Sequence, residues 1–147
     1  MASATTTDVF NCTQEEFFKI ISDYEKYPEF LSEVKKCEVI QADGNIKIVE
    51  FSVSMIKNFK YQMKIIETAP TSMTWSFVSG DIFKTSTGSW VLKLPDDNNA
   101  AKTKATYSVD ATFNLFVPGP ISNALVSVNL PNMVKAYHQR IKKIYNK

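Results

Sequence analysis

The hydrophobic positions of this chain change rhythm three times. Residues 5–10 are rich in β-branched side chains and read as a first strand. The period then becomes helical. Thr13 and Glu16 stand at capping-box spacing, and Phe17, Ile20, Ile21 and Tyr24 follow on one face, which predicts a helix over about residues 12–24. Pro28 suits the first turn of a second short helix, with Tyr27, Phe30, Leu31 and Val34 at i, i+3, i+4 and i+7. From Lys35 the apolar residues alternate instead, between turn signals at Asp43-Gly44, Lys57-Asn58, Ala69-Pro70-Thr71, Ser79-Gly80-Asp81 and residues 95–99. Six strands are expected there, over about residues 35–42, 45–56, 59–68, 72–78, 82–94 and 102–116. Asp-Gly is the strongest hairpin signal and predicts a type I′ turn. Helical spacing returns at Ile121 and runs through Leu125, Leu130, Met133, Val134, Tyr137, Ile141 and Ile144, a long C-terminal helix in which Pro131 predicts a kink or a break.

The fold class is therefore α+β: a strand, two short helices, six more strands in a meander, and one long helix. Seven antiparallel strands about 4.8 Å apart span nearly 30 Å, whereas a helix with its side chains is about 10–12 Å wide. A flat sheet would leave a broad apolar face bare, so the sheet must curl around the helix. Such a grip leaves room between sheet and helix, and the two short helices can close one end of it.

Strand parity names the walls of that room. Val49, Phe51, Val53 and Met55; Tyr61, Met63 and Ile65; Met73, Trp75 and Phe77; Trp90, Leu92 and Leu94; and Tyr107, Val109, Ala111, Phe113 and Leu115 share the apolar face. The alternate positions, such as Ser52, Lys60, Gln62, Thr74, Ser108 and Asp110, are polar. Ligand-contacting residues are expected at Phe51, Val53, Met55, Tyr61, Met63, Trp75, Phe77, Trp90, Leu92, Tyr107, Val109 and Phe113, and at Leu130, Met133, Val134 and Tyr137 on the helix. Part of any such face serves only to fill a core.

Composition narrows the function classes. The chain of 147 residues is 44% hydrophobic, 22% charged and 12% aromatic, enough for one real core and one domain over residues 1–147. No apolar run approaches bilayer length, and the first residues lack the basic and apolar regions of a secretory signal. Cys12 and Cys37 are too few and too isolated for a disulfide scaffold or a zinc site. The expectation is a cytoplasmic protein with reduced thiols. Residues 111–147 carry five bases and no acid, but Arg140 is the single arginine in the chain, so a nucleic-acid partner is not expected.

Asp23-Tyr24-Glu25-Lys26-Tyr27-Pro28-Glu29-Phe30 resembles the D-x-x-x-Y-P-x-F signature of the coenzyme Q-binding, polyketide-cyclase-like branch of the START-related (SRPBCC) superfamily. Trp90 resembles that family's strand tryptophan, and Met133-Val134-Lys135-Ala136-Tyr137 with Arg140 resembles its C-terminal helix, with tyrosine where phenylalanine is usual. The resemblance covers residues 5–145. It implies a helix-grip fold, a seven-stranded antiparallel sheet curled around a long C-terminal helix, with a tunnel for quinones, lipids or polyketides. In it Pro28 would start the short helix, and Tyr27 and Phe30 would plug the end of the pocket.

Catalytic patterns are scarce. The sequence has no G-x-S-x-G, no phosphate loop and no H-E-x-x-H, and its single histidine, His138, reads as a boundary residue half in water. No metal and no cofactor are implied. The expected function is to carry or chaperone a hydrophobic molecule such as a quinone, an isoprenoid or another lipid. One alternative is a cyclase or dehydrase using Tyr61, Tyr107, Tyr137 or a parity-shifted Glu50. Another is a toxin-like module that binds ribosomes through the basic helix. Phe116 and Val117, ahead of Pro118-Gly119-Pro120, could dip transiently into a bilayer, making the protein peripheral to the membrane.

Overall fold

The computed structural model describes residues 2–54, 58–114, 117–120 and 130–146. Strand β1 (Ala2–Phe10) leads into helix α1 (Gln14–Ser22) and a 3₁₀ helix over Tyr24–Glu29. Strands β2 (Val34–Asp43), β3 (Ile46–Ser54), β4 (Asn58–Thr68), β5 (Ser72–Gly80), β6 (Phe83–Lys93) and β7 (Thr103–Phe113) follow, and helix α2 covers Leu130–Tyr145. All seven strands form one antiparallel sheet in the order β1-β7-β6-β5-β4-β3-β2. This is the expected α+β arrangement, a curled sheet gripping a C-terminal helix.

The first helix starts where its cap dictates. Thr13 Oγ1 accepts from the Glu16 amide at 3.1 Å, and Glu16 Oε1 accepts from the Thr13 amide at 3.0 Å. Phe17, Phe18, Ile20 and Ile21 are buried.

The second short helix departs from expectation. It is a 3₁₀ helix with Pro28 near its end, not at its start. The Leu31 amide closes on the Tyr27 carbonyl at 2.8 Å and the Val34 amide on the Leu31 carbonyl at 3.1 Å, after which Val34 enters β2 opposite Val53. The helix-like spacing of Tyr27, Phe30, Leu31 and Val34 arises because a turn and then a strand each direct an apolar residue inward.

The β2–β3 hairpin also differs in detail. Of its loop residues only Gly44 has positive φ, at +60°, and as the first of the two residues between the strands it fits a type II′ turn, not type I′. Pro131 is the second described residue of α2, and the kink or break expected there falls against residues 121–129, outside the described residues. The helix expected from Ile121 lies, over residues 121–129, outside the described residues, as do Met55, Leu115 and Phe116.

Helix α2 is tied down at three levels. His138 Nε2 meets Asp8 Oδ2 of β1 at 2.9 Å while its ring stacks on Phe10, and the Arg140 guanidinium donates to Glu29 Oε1 at 2.9 Å. The Tyr145 hydroxyl donates to the Glu16 carbonyl at 3.1 Å. Beside these anchors Tyr137 and Ile141 enter the core. Among the described residues no helix is long and apolar enough to cross a membrane.

Candidate functional site

The width mismatch between sheet and helix leaves a cavity of about 170 Å³. Strand β3 supplies Phe51 and Val53, β4 supplies Tyr61, Met63 and Ile65, and β5 supplies Met73 and Trp75. Trp90 of β6 and Tyr107 of β7 continue the wall, while α2 closes it with Leu130, Met133 and Tyr137. The remaining lining comes from the bend between the 3₁₀ helix and β2: Tyr27, Leu31, Glu33 and Val34.

The walls are a continuous run of aromatic rings. Phe51 stacks on Tyr61 at 5.2 Å, Trp75 lies 5.5 Å from Tyr107, and Trp90 lies 5.0 Å from Tyr107 and 5.4 Å edge-on to Tyr137. Phe30 meets Tyr137 edge-on at 5.2 Å, and Arg140 covers the Phe30 ring at 5.1 Å. Tyr27 does line the cavity, whereas Phe30 packs behind Tyr137.

Ten of the sixteen positions expected to meet ligand face this space: Phe51, Val53, Tyr61, Met63, Trp75, Trp90, Tyr107, Leu130, Met133 and Tyr137. Met55 lies outside the described residues. The other five do not line it. Phe77 and Phe113 pack instead on Phe83, at 6.0 Å and 5.2 Å. Phe83 turns inward because the β6–β7 register shifts between Phe83 and Thr85, and its ring, edge-on to Tyr61 at 5.0 Å, fills that end of the groove. Leu92 and Val109 are buried in the core beyond the cavity wall, and Val134 is half-buried on α2. Leu94, expected on the inward face, is 44% exposed just past the end of β6.

Two polar expectations also change. Glu50 alternates with Val49 and Phe51 on the opposite face and accepts from Gln62 Nε2 at 3.1 Å, so no bulge brings it inside. The carboxylate that does line the cavity is Glu33, a residue between elements that strand parity could not reach.

Burial sets the electrostatics. The hydroxyl of Tyr107 is pushed up to about 12, first by desolvation and then by the Glu33 charge. Tyr61 and Tyr137 are raised further, with burial again the main cause and Glu33 among the contributors. Tyr27 is also raised by burial, and its hydroxyl donates to the Ile21 carbonyl and lies within hydrogen-bonding reach of Tyr137. At neutral pH these four hydroxyls keep their protons. They can donate and accept hydrogen bonds, but they are poor bases.

Val117 packs against the buried core, and its amide bonds to the Asn114 carbonyl at 3.0 Å. It is thus partly buried. Cys12 and Cys37 are both buried.

Residues 11–137 match the family model described as polyketide cyclase / dehydrase and lipid transport. The chain belongs to that family. It has an SRPBCC/START-like fold. A START superfamily protein from Mycobacterium smegmatis superposes with a TM-score of 0.82 at 20% identity, covering 97% of this chain and 98% of that one. The Zhui aromatase/cyclase from Streptomyces sp. R1128 superposes at 0.70 with 12% identity, covering 97% and 84%. In sequence, the ribosome association toxin RatA of Vibrio cholerae is 28% identical over 99% of both chains.

Proposed function

We propose that this protein binds and carries an apolar small molecule, a quinone or isoprenoid lipid, with a ring-sized head inside the cavity and the chain of the ligand leading out of it. The observation that carries this reading is the aromatic-walled space of about 170 Å³ between the sheet and α2. A dry apolar cavity of roughly 150 Å³ is known to take up benzene, so a space of this size suits a ring and is too small for a long tail as well. Methionines 63, 73 and 133 in the lining add adaptable surface.

A carrier is favoured over a cyclase by the state of the hydroxyls. General-base chemistry needs a group poised near the working pH, and Tyr61, Tyr107 and Tyr137 are all displaced upward from an already high value. Native mass spectrometry of gently purified protein should show a co-purified quinone or lipid, and tryptophan emission should respond to added short-chain ubiquinone. Silence of both across quinones, fatty acids and phospholipids overturns the reading.

The likeness to RatA favours a second reading, in which the chain associates with ribosomes. Co-sedimentation with purified ribosomes at moderate salt tests it, and recovery wholly in the supernatant removes it. Exchange of ligand with a membrane would bring Phe116 and Val117 to the bilayer. Liposome flotation of wild type against Phe116→Asp tests that contact, and equal flotation of the two overturns it.

A further inference from the structure

Among the described residues that line the cavity one is acidic, in otherwise apolar and phenolic surroundings. Glu33 lies in the bend between the 3₁₀ helix and β2, and its backbone is fixed on both sides. Its carbonyl accepts from the Ser54 amide at 2.9 Å, and Val34, next along, stands in register with Val53. The residue as a whole is half-buried. Among the described residues no lysine, arginine or histidine pairs with it, and its Oε2 accepts from the exposed Ser32 hydroxyl at 3.5 Å. Its charge reaches the hydroxyls of Tyr61, Tyr107 and Tyr137 on the other walls.

A carboxylate accepts hydrogen bonds and donates none, whereas each tyrosine hydroxyl can do both. Among the described residues the arrangement therefore has spare acceptor capacity and no fixed cation. A ligand ending in a carbonyl or ether offers Glu33 nothing, and one ending in a carboxylate or phosphate brings like charge into a partly dry space. A hydroxyl on the ligand gains a charge-assisted hydrogen bond, the stronger kind.

We infer that Glu33 selects ligands whose polar end is a neutral hydroxyl donor, of the phenol, hydroquinone or alcohol class, and rejects acids. The inference rests on the carrier function proposed above and specifies the ligand it would take. For a quinone-type molecule it predicts tighter binding of the reduced, dihydroxy form than of the dicarbonyl form.

The test uses three probes with one shared tail: 4-heptylphenol, its methyl ether and 4-heptylbenzoate. Each is titrated into the full-length protein, read by tryptophan fluorescence and by calorimetry. Wild type should bind the phenol roughly tenfold tighter than the ether, with the benzoate weakest, the size expected for a hydrogen bond to a charged group. Glu33→Gln and Glu33→Ala should bring phenol and ether to within about threefold of each other and improve benzoate binding. Glu50→Gln, on the opposite face of the sheet, should keep the wild-type ranking. Equal binding of phenol and ether by wild type, or a preference that survives both Glu33 variants, overturns the inference and leaves the carrier reading standing. Failure of wild type to bind any of the three overturns both.

Discussion

The indole of Trp75 lies directly over Gly88, its register partner on β6. A Cβ at residue 88 would sit 2.3 Å from the ring carbons Cε2 and Cζ2 and 2.4 Å from Nε1. The glycine is thus a space requirement. It lets a large ring lie flat on the neighbouring strand as cavity wall, where a side chain at 88 would push that ring off the sheet.

Gly88→Ala should therefore cost about 1–3 kcal/mol, the usual range for overpacking a tight site. It should also swing Trp75 into the cavity and abolish uptake of ring ligands. Thermal melts, tryptophan emission and probe titration follow the three effects. In the Gly88→Ala background, Trp75→Leu should recover most of the lost stability, since the two residues touch and their effects are coupled. Additive losses would mean that the glycine acts in some other way.

Thr13→Ala removes the acceptor for the Glu16 amide and half of a reciprocal cap. Loss of an N-cap of this kind costs about 0.5–2 kcal/mol. Urea unfolding should show a lower midpoint with an unchanged slope. Thr13→Asn should restore much of the loss, because asparagine also caps.

How much of this was legible in the sequence depended on whether a residue sat inside a regular period. The cap at Thr13 and the two-residue alternation of β3 to β7 are local signals, and the inward positions Phe51, Met63, Trp75, Trp90 and Tyr107 followed from them. Departures occurred where the period breaks. Phe83 faces inward through a register shift, which is decided by pairing with β7 and not by its neighbours in sequence. Once inside, it takes the space expected next to Phe77 and Phe113. Glu33, in a bend between two elements, belongs to no period at all. Ile65 and Met73 stood on the inward parity, but parity alone does not separate residues that border a void from residues that merely fill the core.

High pH should unfold the protein through its buried acids. In the unfolded chain a tyrosine ionises near 10.0, whereas Tyr107 in the folded protein does so at about 12, and Tyr24, Tyr27, Tyr61 and Tyr137 are displaced further in the same direction. Cys37 likewise moves from 9.0 to about 12 through burial. Above about pH 9 to 10 the unfolded state has lost protons that the folded state still holds, so stability falls as pH rises. Below that range neither state is ionised at these groups, and they contribute no pH dependence. A spectrophotometric titration should show the buried tyrosines ionising together with loss of the fold. A smooth titration with the fold intact would contradict their burial.

Removing a hydroxyl from the cavity separates carriage from catalysis. Tyr107 packs through its ring, against Trp75 at 5.5 Å and Trp90 at 5.0 Å, and among the described residues its oxygen makes no hydrogen bond. Tyr107→Phe keeps that packing and takes away one polar atom. If the space serves binding alone, apolar probes should bind within about threefold of wild type, because their affinity derives from buried apolar area. A cyclase using this hydroxyl as its acid would instead lose the factor of roughly 10²–10⁴ that a positioned proton donor supplies. Glu50→Gln belongs in the same experiment. That carboxylate faces away from the cavity toward Gln62, so its loss should leave both binding and any turnover unchanged. A large loss of turnover of an aromatic polyketide in Tyr107→Phe, with binding retained, would move the assignment from carrier to enzyme.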